Sequence, residues 1–429
     1  MKTLLKKIVA RILKWQASAV LKKYNPKIIA VTGNVGKTST KDAIYSVLSP
    51  IFFVRKSEKS FNSDIGVPLT ILGAPNAWTN PLLWIKNIFN AFELMLFSCD
   101  YPKWLILEVG ADRPGDIEGI AKWVKSDVVI VTRFSNVPVH VEFFKSKEHL
   151  VEEKGFLVKA LKNDGLLILN YDDPDAMNFK KASKNKVITY GFNQGADIQG
   201  SHPTIVYASE KPTGICFKIN VGGNSVPISL DGVVGMQHFY PVLAAVAVGN
   251  SQNLNMVEMS QAFSCHKVPQ GRMNLIEGKN DSIIIDDTYN SSPIAVHEAL
   301  ETIKSITTTG KKIVCVGDMM ELGKFSIDEH KKVGANVSKI ANVLITVGQR
   351  SRYTYNEAIR TGMSENNCQP FENSRDAGEY LATLISKGDI VLVKGSQSMR
   401  MERVVEAIMA HPECKKELLV RQDEEWVRR

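Results

Sequence analysis

At 429 residues the chain exceeds the size at which one hydrophobic core stops growing, so two or three domains are expected. Hydrophobic residues at 44% and charged residues at 23% argue against a disordered chain and against a membrane bundle. Six scattered cysteines with no C-x-x-C pair argue against a zinc site or a disulfide framework and fit a reducing cytoplasm. The net charge of +8 gathers at the N-terminus, where ten Lys or Arg precede the first acidic residue, Asp42.

In chain order, the first element is "MKTLLKKIVARILKWQASAVLKKY". Leu5, Ile8, Val9, Ile12 and Val20 fall on one helical face, with Lys7, Arg11 and Lys14 opposite. A cation every three or four residues denies it the apolar run of an export signal. Residues 1–24 are therefore expected to form a basic amphipathic helix. Two readings stay open: it lies on an anionic membrane surface, or it packs on the body of the protein with a solvated basic face. The basic residues lack interleaved aromatic platforms, so no nucleic-acid partner is expected.

From Lys27 onward, short apolar runs alternate with helical stretches: "KIIAVTG", "WLILEVG", "DVVIVT", "LLILN", "SIIIDDT", "KIVCVGD", "NVLITVG" and "DIVLVKGS". Continuous apolar strands separated by helices are what a parallel sheet covered on both faces requires, so the fold class is α/β. "PLLWIKNIFNAFELMLFS" (Pro81 to Ser98) is broken by Lys86, Asn87, Asn90 and Glu93. It suits a half-buried or interfacial helix better than a span, which needs roughly 20 apolar residues. Between Asp197 and Asp231 shorter alternating runs, "ICFKINV" and "VPISL", predict a small antiparallel part, and a helix follows around Tyr240 to Gly249. Proline and glycine punctuation places a domain boundary between Val268 and Gly271, giving domains 25–268 and 269–429.

One stretch carries chemistry on its face. "KIIAVTGNVGKTSTKDAIYSVL" reads as strand, glycine turn and helix, the setting of a phosphate loop. Gly33 and Gly36 let the backbone N–H groups of Gly33, Asn34, Val35 and Gly36 converge on phosphate oxygens, at the positive end of a helix that runs on through Lys37, Thr38 and Ser39. Lys37 is expected to reach the β- and γ-phosphates of ATP, and the Thr38 hydroxyl to ligate Mg²⁺. The spacing is G-x-x-G-K-T, with Val31 where the common pattern has glycine.

That shorter loop resembles the ATP-binding loop of the Mur ligases, the amide-forming enzymes of cell-wall precursor synthesis. "NSDIGVPLTIL" (Asn62 to Leu72), "LEVGADRPGDI" (Leu107 to Ile117), "DDTYNSSP" (Asp286 to Pro293), "VGDMMELG" (Val316 to Gly323) followed by His330, and "VLVKGSQSMRMERVV" (Val391 to Val405) extend the resemblance, in order, from about Lys27 to Ala410. The match is to the MurF branch, which joins D-alanyl-D-alanine to UDP-N-acetylmuramoyl-tripeptide. The resemblance implies a central P-loop ATPase-like domain and a C-terminal Rossmann-like domain. It also implies an ADP-forming reaction, in which a precursor carboxylate becomes an acyl phosphate that an amine then attacks.

The resemblance also assigns residues. Glu108 joins Thr38 at a first Mg²⁺, His140 serves a second, and Lys154 aligns with a lysine these enzymes convert to a carbamate. Asn170 and Arg272 match nucleotide contacts, as do Asp287, Tyr289 and Asn290 from the C-terminal domain. Lys394, Gly395 and Ser396 open a turn facing the incoming dipeptide. Gln237, His238 and Pro241 depart from the family's pattern, as does Gln397, and the family's N-terminal uridine-binding domain is expected to be lacking. The expected partners are a cell-wall peptide precursor and D-alanyl-D-alanine, with a cytoplasmic monomer, peripheral to the membrane if the first helix binds it. A related ligase for a UDP-free or lipid-linked acceptor is an alternative. A nucleotide-binding scaffold is another, against which the combination of Lys37, Thr38, Glu108, His140 and Lys154 speaks.

Overall fold

A computed structural model describes residues 2–78, 80–134, 143–144, 146–423 and 426. The chain opens with α1 (Lys2–Tyr24), β1 (Lys27–Thr32), α2 (Lys37–Leu48), β2 (Val54–Lys56), α3 (Gly66–Leu72) and α4 (Pro81–Leu96). It continues through β3 (Trp104–Glu108), α5 (Asp116–Ala121), β4 (Ser126–Val131), α6 (Lys147–Lys159), β5 (Leu161–Asn170), α7 (Pro174–Ala182) and β6 (Lys186–Gly191). Three longer strands, β7 (Ile198–Ala208), β8 (Lys211–Val221) and β9 (Asn224–Asp231), precede α8 (Phe239–Ser251) and α9 (Met256–Ser264).

These strands form one nine-stranded sheet in the order β2-β3-β1-β4-β5-β6-β7-β8-β9. It is parallel from β2 to β7 and antiparallel over β7, β8 and β9, where the alternating runs predict it. β1 shows why the strands read as unbroken apolar runs. Ile29 and Val31 face the cluster that includes α2 and α8, while Ile28 and Ala30 face the cluster on α1 and α3. Both faces are covered, so both sets of side chains must be apolar. α8 is apolar all round because it lies wholly inside the first cluster.

The second sheet takes β10 (Asn274–Gly278), β11 (Ser282–Asp287), then α10 (Pro293–Ser305), β12 (Lys312–Gly317), α11 (Ser326–Val337), β13 (Val343–Val347), α12 (Arg352–Arg360), β14 (Cys368–Phe371), α13 (Ser374–Leu384), β15 (Ile390–Lys394) and α14 (Glu402–Ile408). Its order is β10-β11-β15-β12-β13-β14, parallel except for β10 against β11. A bridge from Val233 to Asn274 and three ion pairs, Lys59 with Asp423, Arg133 with Glu298 and Lys211 with Asp281, tie the two halves together.

α1 packs on the body of the protein. Its buried stripe is Leu13, Gln16, Ala17 and Val20, rotated from the face the sequence suggests, and Ile8 stands exposed. The rotation is possible because the Gln16 amide donates to the Ile88 carbonyl at 2.9 Å. Lys23 donates to the Leu94, Met95 and Phe97 carbonyls at the C-terminal end of α4, satisfying acceptors a helix end leaves open. α4 starts at an Asn80 cap followed by Pro81 and buries only Asn87 and Ala91. Among the described residues no helix is long and apolar enough to cross a membrane.

Candidate active site

The phosphate loop joins β1 to α2 at the centre of the parallel sheet, where β3 and β4 flank β1. Helices and ligand crevices of such sheets meet at the carboxyl ends of the strands. Gly33 adopts φ 138°, and a Cβ there would lie 2.0 Å from the Thr132 hydroxyl. That hydroxyl donates to the Thr32 and Val35 carbonyls at 3.1 and 2.8 Å, and the Asn34 N–H donates to the Arg133 carbonyl at 2.8 Å. Gly36, at φ 88°, precedes the first turn of α2 with no side-chain cap, so that helix end keeps its free N–H groups for a ligand.

Lys37 folds back over the loop, donating to the Gly33 carbonyl at 2.9 Å and the Asn34 carbonyl at 3.3 Å. Loss of water holds its pKa below the ordinary lysine value, with Glu108 pulling the other way and Arg272 adding to the depression. Thr38 and Ser39 follow on the half-buried first turn of α2. Glu108, at the end of β3, is buried; its Oε1 accepts from the Ser60 hydroxyl at 2.5 Å and the Asn62 amide at 3.4 Å. Its Oε2 is buried with no partner.

Lys154 lies on α6, buried, and its pKa falls well below the lysine value, first through burial and then through the Lys37 charge. The neighbouring Glu153 accepts from the Gly115, Ile117 and Glu118 N–H groups at 2.8 to 3.1 Å, bracing α6 against the start of α5. Glu108 and Arg272 thus bear on the charge of Lys37, and Lys37 on that of Lys154. His140 lies outside the described residues.

The C-terminal half presents a second group. The Arg272 guanidinium stacks on the Tyr289 ring at 4.1 Å, and its Nε is buried without a partner. Asp287 and Lys394, opposite each other in β11 and β15, form a buried pair at 2.6 Å, and Lys394 also donates to the Asn290 carbonyl at 2.9 Å. The Lys394 ammonium is therefore engaged within the sheet, beside the turn that Gly395 and Ser396 open. His238 is buried with Nε2 unpartnered and its pKa pushed down to about 3, by burial first and then by His266 and Arg272. Asn170 ends β5, and its carboxamide oxygen accepts from the Asp172 N–H at 3.0 Å.

Sequence reasoning missed several residues around this site. Ser60 holds Glu108 from 48 positions away, and Thr132 and Arg133, just past the end of β4, hold the loop. Lys41, one turn along α2 from Lys37, is fully buried and donates to the Ser57 carbonyl at 2.8 Å. The i, i+4 spacing of Lys37 and Lys41 was the available signal, since it puts both on one face of the helix. Among the described residues no cluster of three His, Cys, Asp or Glu side chains forms a metal site.

Comparison with known proteins matches the Mur ligase middle domain over residues 86–249 and the Mur ligase glutamate ligase domain over residues 271–397. The UDP-N-acetylmuramoyl-tripeptide–D-alanyl-D-alanine ligase of Bacillus subtilis is 28% identical over 398 residues, covering 92% of this chain and 79% of that protein. The ligase of the same name from Escherichia coli is 25% identical over 394 residues, covering 90% and 78%. The crystal structure of the Thermotoga maritima MurF ligase in complex with ADP superposes with a TM-score of 0.75 at 24% identity, covering 93% of this chain and 83% of that one, a likeness of fold. The chain belongs to the Mur ligase family of ATP-dependent, amide-bond-forming enzymes, of which it carries the middle and C-terminal domains.

Proposed function

We propose that this chain is a ligase of the MurF type. It transfers the γ-phosphoryl of ATP to the terminal carboxylate of UDP-N-acetylmuramoyl-tripeptide and joins the activated carboxyl to the amine of D-alanyl-D-alanine, releasing ADP and phosphate. The observation that carries the reading is the uncapped helix start at the end of β1, with buried Glu108 and buried Lys154 each within charge range of Lys37. Such a site supplies what phosphoryl transfer asks of a protein: positioned backbone N–H groups and fixed charges aimed at phosphate oxygens.

The donor set fits Mg²⁺, because Glu108 Oε2 is buried and unpartnered and the ion prefers a few hard oxygen ligands. Thr38, Glu108, His140 and a modified Lys154 would hold it, and it would neutralise charge on the transferred phosphoryl group. The Gly33 and Gly36 backbone and the start of α2, with the hydroxyls of Thr38 and Ser39, cradle the phosphates and the Lys37 ammonium follows the β- and γ-oxygens; Asn34 and Val35 join them once their N–H groups leave the Arg133 carbonyl. Burial and the Lys37 charge favour the neutral amine of Lys154, the form that attacks CO₂; an N–C bond forms, a proton leaves to water, and a carbamate anion remains. Asn170, Arg272, Asp287, Tyr289 and Asn290 contact the nucleotide, with the unpartnered Arg272 Nε and His238 Nε2 supplying hydrogen-bonding capacity at the junction. The enzyme works in the cytoplasm as a monomer, touching the inner face of the membrane through α1.

Phosphate release tests the reading. Purified protein with ATP, Mg²⁺, D-alanyl-D-alanine and UDP-N-acetylmuramoyl-tripeptide should release one phosphate per amide formed. Turnover only with a UDP-free or lipid-linked acceptor would overturn the substrate assignment, and tight ATP binding without turnover on any acceptor would overturn the catalytic one.

A further inference from the structure

α4 is apolar on two faces. The one it turns to the protein sets partly buried Trp84, Leu94 and Met95 around the buried Asn87 and Ala91, with the Asn87 amide donating to the Pro75 carbonyl at 2.8 Å, while a second set of large apolar side chains stands in water. Leu82 is 76% exposed, Phe89 65% and Leu96 73%, with Ile85 and the following Phe97 more than half exposed. Positions 82, 85, 89 and 96 recur at helical spacing, so they form one stripe. Trp15 of α1, 55% exposed, meets Phe92 edge to face at 5.9 Å and carries the patch onto α1. A contiguous exposed apolar surface of this kind marks an interaction site.

Charge decides what covers it. α1 carries seven Lys or Arg and no acidic residue, and Lys6, Lys7, Arg11 and Lys14 are exposed. α4 adds one cation, Lys86, and one acid, Glu93. A second copy of the chain placed two-fold on this face would bring two such basic helices together, at a Coulombic cost. An anionic bilayer meets both features: headgroups attract the cations, and the acyl boundary takes apolar side chains, with tryptophan favoured at that depth.

We propose that α4 is the element that enters an anionic membrane surface, lying in its plane with Leu82, Ile85, Phe89 and Leu96 buried among the lipids, while α1, packed beside it, supplies the attraction. This rests on the peripheral membrane contact proposed above, and changes which helix makes it. The pair is already fixed as a unit by Gln16 on the Ile88 carbonyl and Lys23 on the end of α4, so the surface is preformed and costs no ordering on contact.

Flotation of the full chain with phosphatidylglycerol-rich and pure phosphatidylcholine vesicles tests it, using two variants with exposed substitutions only. Leu82→Ser/Phe89→Ser/Leu96→Ser keeps every charge, and Lys7→Glu/Arg11→Glu keeps the α4 stripe. The parent chain should float with the anionic vesicles and scarcely with the neutral ones, and each variant should bind at least about tenfold more weakly. Brominated lipids should quench tryptophan fluorescence in the parent chain and not in the α4 variant. If the α1 variant loses binding while the α4 variant keeps it, membrane contact stands and the role given to α4 falls. If the parent chain floats with neither vesicle, both fall; self-association abolished by the α4 substitutions would assign the face to a second copy.

Discussion

The Lys37 charge, with burial, raises the cost of charging Lys154. Lys154→Ala should therefore remove the anion the proposed mechanism draws from it. Steady-state turnover should fall about a hundredfold or more and recover in part with added acetate or propionate. Full activity without any added acid would take the carbamate out of the mechanism. A second titration belongs to stability. Burial pushes Asp286 up to about 7, against the two hydrogen bonds from Thr288 that favour its anion. Between the unfolded value near 3.9 and that value, the folded chain keeps a proton the unfolded chain has lost, so stability falls as pH rises from about 4 to about 7. Asp286→Asn should remove that fall, gaining at most about 4 kcal/mol on the parent by pH 8 and little at pH 4, as thermal unfolding across that range would show. The loop was legible from sequence because glycine spacing and the following lysine are local. Ser60, Lys41 and Thr132 were not, because their partners lie 16 to 100 positions away and only the folded sheet brings them close.

Among elements, the parallel strands and the antiparallel edge could be read from patterning, since a strand buried on both faces has no polar alternation to show. The α1 and α4 pair could not. Periodicity assigns the apolar face of a helix to the interior, whereas here Gln16 and Asn87 go inside because each finds a backbone carbonyl. The joint between the helices is also polar. The Tyr24 ring stacks on Tyr101 at 4.5 Å, and its hydroxyl donates to the Leu94 and Phe97 carbonyls at 3.1 Å. Tyr24→Phe should keep the stacking and cost about 1 kcal/mol of stability, seen as a lower urea midpoint at an unchanged denaturant slope. A changed slope would mean that α1 detaches before the rest unfolds.

Across the whole molecule, one buried apolar cluster runs from the first sheet into the second, flanked by ion pairs, of which Arg133 with Glu298 is the one nearest the loop. Glu298 sits where burial raises its pKa and Arg133 opposes the rise. Arg133→Ala should loosen the approach of the C-terminal half, enlarging the radius of gyration in small-angle scattering and raising the KM for ATP roughly three- to tenfold. An unchanged KM would place the contact outside the working cycle. The pairs Lys59 with Asp423 and Lys211 with Asp281 share one trait with it: each is partly open to water. Mobile ions screen such pairs over about 10 Å at 0.1 M salt, so all three weaken together as the medium thickens with salt. Salt then loosens the charged rim of the junction while the shared apolar cluster, indifferent to ions, keeps the halves in register.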